Sequence, residues 1–233
     1  ATADFSVPPA IIRRPFEALQ TIQLVEGYRL ELVAADPLIQ DPIAITFDPA
    51  GRLWVCEMRG FMPDIEGHGE DAAVGVISLV EDTDSDGLMD RSTIFLDGLV
   101  LPRGVCWTID GMLVCENGTI WLCKDTDGDN RCDEKLAICR YNVGNLEHAL
   151  NGLMPALDNW TYNAKEGIRR RRPRQGWQQA GTAARGQWGI TQDNLGFLIY
   201  NVNASLIRGD VVPCYSFIAH SRNPLLDVQM YDE

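Results

Sequence analysis

GVISLVEDTDSDGLMDRSTIF (75–95) and GTIWLCKDTDGDNRCDEKLAI (118–138) are one unit written twice. Each copy runs from a short apolar strand through an acidic loop of form D-x-D-x-D-x-x-x-D into a second apolar strand. A second unit recurs around them in IAITFDPAGRLWVCE (43–57), GVCWTIDGMLVCEN (104–117), GLMPALDNWTYNAK (152–165) and WGITQDNLGFLIYNVN (188–203). Each of these four is apolar strand, tight polar turn, apolar strand, with turns centred near Pro49, Asp110, Asp158 and Asp193. Strand pairs repeated at this interval predict an all-β fold, a β-propeller. No segment carries a sustained apolar period of 3.6 residues, so little helix is expected.

The hairpins account for about three to four blades, whereas closed propellers have typically four to eight. An open arc would leave strand edges and an apolar flank uncovered. The expectation is therefore a partial propeller over 28–223, either a fragment, or completed by another chain or domain, or closed as a dimer. Residues 1–27, with Pro8, Pro9 and Pro15, read as an irregular arm, LELVA (30–34) as the first strand, and 224–233 as a polar tail. Residues 58–74 form a Gly- and acid-rich excursion of the kind that builds binding sites on one propeller face. The basic stretch IRRRRPRQGWQQAGTAARGQ (168–187) reads as a solvated loop, or else as a partner- or anion-binding patch.

The acidic loops carry the strongest chemical signal. Asp82, Asp84, Asp86 and Asp90 alternate along the first, with Gly87 at its sixth position; Asp125, Asp127, Asp129 and Asp133 repeat the pattern, with Asn130 at the sixth. Alternation aims carboxylates at one centre, and the seventh-position carbonyls of Leu88 and Arg131 would complete a calcium shell. Four like charges so close together repel unless a hard cation lies between them. The expected role is structural, locking an outer hairpin.

With 233 residues and 45% hydrophobic content the chain has ordinary globular composition. A net charge of −13 argues against nucleic acid, whose phosphates would be repelled. No run approaches the roughly 20 apolar residues of a membrane helix. Seven cysteines suggest an oxidising compartment, periplasmic or secreted. Cys106 and Cys115 would face each other across an Asp110-Gly111 hairpin, where a disulfide is geometrically possible, and Cys214 is the natural leftover. The opening ATADFSVPPA is compatible with a processed start.

QDPIAITFDPAGRLWVCEMRGF (40–61), LVEDTDSDGLMDRSTIFLDGLVLPRGV (79–105), HALNGLMPALDNWTYNA (148–164) and RGQWGITQDNLGFLIYN (185–201) together resemble the pyrroloquinoline-quinone-dependent sugar dehydrogenases, the soluble glucose and sorbosone dehydrogenase-like six-bladed propellers. The likeness is to the bacterial secreted branch often fused to a cytochrome c domain. It implies pyrroloquinoline quinone as cofactor, a sugar or aldehyde as substrate and a cytochrome c as electron acceptor. By the same resemblance His148 is the general base that takes the sugar hydroxyl's proton as hydride moves to the quinone. Arg185, leading the fourth inner strand, would stabilise charge on the quinone oxygen, with Gln187 beside it as a cofactor contact. Gln40 matches a glutamine near the family's active site. The chain departs from the pattern where an acidic partner of the histidine is expected, since Lys165, Glu166 and Gly167 follow the third hairpin. The cofactor's carboxylate clamps come from later blades in that family. The competing reading is a non-catalytic, calcium-stiffened interaction subunit, because propellers host both kinds of function.

Overall fold

The structure is a computed structural model that describes residues 11–144, 148–211 and 227–229. Sixteen strands form four antiparallel four-stranded sheets, each a simple up-and-down meander. The first blade holds β1 (Pro42–Phe47), β2 (Leu53–Glu57), β3 (Gly75–Glu81) and β4 (Arg91–Leu99). The second holds β5 (Gly104–Thr108), β6 (Gly111–Glu116), β7 (Thr119–Lys124) and β8 (Glu134–Arg140). The third holds β9 (Asn151–Pro155), β10 (Thr161–Ala164), β11 (Ile168–Arg171) and β12 (Gln178–Gly181). The fourth holds β13 (Ile190–Gln192), β14 (Leu198–Val202), β15 (Ser205–Asp210) and β16 (Asp227–Gln229). One short helix, α1 (Pro15–Leu19), interrupts the arm. The fold is a β-propeller of four blades, with β1 against β5, β5 against β9 and β9 against β13 along the axis.

The core is a series of slabs between blades. On β2, Trp54 and Cys56 point into a slab shared with the second blade, where they meet Val105, Met112 and Val114. Leu53 and Val55 point the other way and are covered by Leu38 and Ile39 of the segment before β1. On β6, Met112 and Val114 join the first slab while Leu113 and Cys115 join the next, against Leu150 and Leu153. Burial of both faces explains why the second strands read as continuous apolar runs. Trp160, Tyr162 and Leu198 fill the slab between the third and fourth blades.

The inner strands meet at glycines. An added Cβ on Gly152 would lie 2.9 Å from the Cα of Gly189, and one on Gly104 would lie 3.6 Å from the nitrogen of Gly152. The side chain of Asn151 fastens the same junction, donating to the carbonyl of Gln187 at 2.8 Å and accepting from the nitrogen of Gly189 at 2.8 Å.

Four expectations change. LELVA (30–34) forms no strand, because its one described cross-chain backbone bond is Met89 N to the carbonyl of Val33, and a strand needs a continuous partner. Strand β16 lies inside the segment read as a tail, pairing Gly209 with Val228. The basic stretch holds β11 and β12: Arg169 and Arg170 are buried on ion pairs with Asp158 and Glu166, and the Trp160 ring takes Arg169 and Arg171 at 4.6 and 4.4 Å. The second-blade turn is Ile109-Asp110, with Thr108 opposite Gly111, so Cys106 pairs with Leu113 and Cys115 with Gly104. That shift removes the direct Cys106–Cys115 opposition, and the described cysteines are all free thiols. Cys214 lies outside the described residues.

Gly152→Ala should lower stability by about 3 kcal/mol, combining a left-handed φ of +59° with a backbone clash. The unfolding midpoint should fall by roughly 6–12 °C. Gly51→Ala, at φ +79° but with open space around it, should cost about 1 kcal/mol. Equal losses in the two variants, measured by thermal unfolding, would contradict the axial contact.

Candidate functional site

Every inner strand begins at one end of the axis. The segments leading into these strands bring Asp41, Arg103, His148 with Asn151, and Trp188 to a common mouth. The connections from each second to each third strand return to the same end and add Met58, Phe61 and Asn203. They enclose a cavity of about 960 Å³ whose apolar wall includes Ile43, Ile45, Val105, Leu153 and Ile190.

One buried and one partly buried carboxylate hold two of these leading segments in place. Glu57 is fully buried and accepts from the backbone nitrogen of Gln40 at 2.6 Å, the hydroxyl of Ser78 and the guanidinium of Arg59 at 2.8 Å. Glu116, at the same place in the second blade, accepts from the nitrogen of Val100 at 3.0 Å and from Lys135 at 2.9 Å. The recurring Val-Cys-Glu of β2 and β6 is therefore a device for fixing the chain just before an inner strand.

His148 lines the mouth with its ring edge-on to Trp188, centroids 5.4 Å apart. Nζ of Lys165 lies 3.4 Å from its Nδ1, and the Gln187 amide nitrogen lies 3.3 Å from its Nε2. Gln187 is itself set by the nitrogen of Asn203, which donates to its Oε1 at 3.2 Å. No acidic side chain stands at His148 among the described hydrogen bonds; a lysine and an amide take that place.

Arg185 sits elsewhere than expected. Its side chain is 2% exposed and paired with the fully buried Asp210 at 2.8 Å, while Nη1 donates to Thr182 and Ala183. It joins the segment before β13 to the end of β15 and is absent from the cavity wall. Gln40 is exposed, and only its backbone takes part, through Glu57. The cation that does face the cavity is Arg103, 4% exposed, which the sequence reading passed over. The available signal was its position: Arg103-Gly104 precedes β5 as Asn151-Gly152 and Trp188-Gly189 mark the two later inner strands.

The acidic loops lie at the opposite end. Each joins a third strand to a fourth, so the meander carries it away from the mouth, and Nη1 of Arg52 in the β1–β2 turn reaches the side-chain oxygen of Asn130 at 2.9 Å. Ligand oxygens of Asp82, Asp84 and Asp86 converge within 4.8 Å, as do those of Asp125, Asp127 and Asp133. Asp82 accepts from the nitrogens of Ser85 and Gly87 at 2.6 and 2.9 Å, and Asp125 from those of Gly128 and Asn130 at 2.6 and 2.9 Å. Asp90 and Asp133 each grip the threonine after the first aspartate, Thr83 and Thr126. The Gly87 N–H holds Asp82 below the usual carboxylate range, and the Thr126 N–H does the same for Asp133. Asp86 and Asp129 cap the nitrogens of Leu88 and Arg131, both at 2.8 Å. A third convergent group, Asp64, Glu66 and His68, lies on the 58–74 excursion. The sequence reading missed it, although Asp-x-Glu-x-His has the same alternation.

Among the described residues no helix is long and apolar enough to cross a membrane. Arg185→Met should cost about 3–5 kcal/mol by leaving Asp210 buried without its cation. Thermal unfolding checks this, and a midpoint equal to wild type would return Arg185 to consideration as a ligand contact.

No curated protein matches the chain. Residues 14–229 match the model of a family described as a domain of unknown function, DUF7133. That match takes in all four blades, the axial mouth and both acidic loops, and the chain belongs to the DUF7133 family.

Proposed function

We propose that this propeller is a quinoprotein-type oxidoreductase that oxidises a sugar or aldehyde at its axial mouth with pyrroloquinoline quinone. The observation that carries the reading is the meeting of a buried cation, an imidazole and an aromatic face in one cavity of about 960 Å³. That volume lies within the range of cofactor pockets. The donor set fits a planar anion: Arg103 would bind a carboxylate, Trp188 and Phe61 would flank a ring, and Asn151 and Asn203 would fix its orientation. When bound, the cofactor supplies a two-electron acceptor for hydride. His148 takes the proton from the substrate hydroxyl at the ring nitrogen that carries its lone pair, and the edge-on Trp188 ring orients the imidazole at the mouth. Ile43, Val105 and Leu153 give the cavity an apolar wall against which the substrate would pack. Arg185 has no part in this account, because its guanidinium is committed to Asp210. Electrons leave through a cytochrome c-type partner in a periplasmic or extracellular setting.

The acidic loops bind calcium in a structural role. Their place at the opposite end separates this metal from the cofactor, and in each loop three carboxylates bring ligand oxygens within 4.8 Å of one another. A further chain or domain completes the ring beside β1, whose Ile43, Ile45 and Phe47 are 46%, 58% and 55% exposed. The same exposed strand supports the second reading, a calcium-stiffened subunit whose task is interaction.

With quinone and calcium supplied, the protein should reduce a redox dye on part of an aldose and aldehyde panel. His148→Asn should slow this by roughly 10²–10⁴-fold while leaving quinone affinity intact. Arg103→Ala should weaken quinone binding in an absorbance titration. Absence of dye reduction across the panel, even with the completing chain or domain supplied, would sink the enzyme reading and favour the interaction subunit.

Calcium at a hundredfold excess over its Kd should stabilise by about 2.7 kcal/mol per site. Chelation should therefore lower the unfolding midpoint by roughly 5–10 °C for one occupied site. A midpoint insensitive to chelator would count against both loops.

A further inference from the structure

The two acidic units differ at their bases. Aligned residue for residue, Val80 and Met89 of the first unit correspond to Cys123 and Cys132 of the second. In the first unit this position pair is an apolar contact: Val80 is buried and Met89 packs against its cluster. In the second unit both members are cysteine, and the contact persists. Cys123 is buried in the slab between the first two blades, Cys132 packs on that slab, and the Cys132 thiol donates to the carbonyl of Glu134 at 3.3 Å. The backbone around them is fixed, since the nitrogen of Cys132 donates to the carbonyl of Phe95 and that of Asp133 to the carbonyl of Lys124, both at 2.8 Å. A pair changed together at one contact, within a unit otherwise kept, is what a covalent link across that contact requires.

We propose that Cys123 and Cys132 are a reversible disulfide pair that clamps the base of the second acidic loop. The structure holds them as thiols. The oxidant is a small-molecule disulfide. The half-exposed sulfur of Cys132 attacks it, forms a mixed disulfide and expels one thiol. The buried sulfur of Cys123 then displaces the second thiol and forms the intramolecular bond. In sum, two protein thiols lose two protons and two electrons, and one disulfide reagent becomes two thiols. The product closes the loop that carries Asp125, Asp127 and Asp129, whose mutual repulsion otherwise favours opening it.

The test uses the full chain equilibrated with oxidised glutathione, alkylated, and digested without reduction. Cleavage after Lys124 and Arg131 puts the two cysteines on separate peptides. Mass spectrometry should find those peptides cross-linked, and dithiothreitol should separate them. The oxidised protein should unfold roughly 5–10 °C above the reduced protein. Cys123→Val combined with Cys132→Met, which imports the first unit's own pair, should keep the fold and lose both the cross-link and the redox dependence of the midpoint. Cys132→Ser gives a second, single-site check on the cross-link. Recovery of both cysteines as alkylated thiols, or of Cys132 only as its glutathione adduct, would overturn the pairing. A cross-link with no rise in midpoint would overturn the clamp.

Discussion

The close approach of the third inner strand to the fourth at Gly152, where an added Cβ would lie 2.9 Å from the Cα of Gly189, is the constraint on which the rest of the structure depends. Strand backbones can meet so near an axis only where no Cβ intervenes. Once they meet, the sheets must fan outwards, and the space between neighbouring fans is filled from both sides by alternate residues of each strand. Trp54 and Cys56 face Met112 and Val114 for this reason, while Leu113 and Cys115 serve the next slab. Asn151 adds direction to the contact: its amide ties the carbonyl of Gln187 and the nitrogen of Gly189, which sets how the fourth blade meets the third.

The same geometry sorts chemistry to two ends. Up-and-down connection starts every first strand at one mouth and sends the third-to-fourth connections of the first two blades to the other end. Arg103, His148 and Trp188 therefore share a cavity although they are far apart in sequence, and both clusters of aspartates lie away from it. Buried and partly buried polar groups make the mouth rigid. Glu57 and Glu116 capture backbone N–H groups ahead of the first two inner strands, and the Arg185–Asp210 pair secures the segment before the fourth. Leaving Glu57 or Arg185 buried without its partner would cost more than the bond itself contributes.

Much of this was legible in the sequence, because hairpins and acidic loops are local patterns. The repeated D-x-D-x-D spacing and the tight turns at Pro49 and Asp158 specify their own hydrogen bonds within a few residues. What failed depended on distant partners. LELVA has a strand's composition but one described backbone partner; Arg169 and Arg170 of β11 have a loop's composition but are buried, Arg169 over Trp160 and against Asp158 and Arg170 against Glu166. A turn displaced by one residue changed which residue faces Cys106. At the site, His148 and Gln187 were found from motif position and do meet in space. Arg185 was assigned to the cavity from motif position too, but its partner Asp210 is 25 residues further along the chain and no local pattern marks the pair. Arg103 was missed for the complementary reason: only the fold brings it to the mouth.

The most direct measurement is a crystal structure of the protein soaked with calcium and pyrroloquinoline quinone, with calcium located by its anomalous signal. The account predicts quinone density in the axial cavity within hydrogen-bonding distance of Arg103 and His148, and calcium at the two aspartate loops at the opposite end. Quinone bound beside the acidic loops, or an axial cavity left empty at saturating quinone, would contradict it.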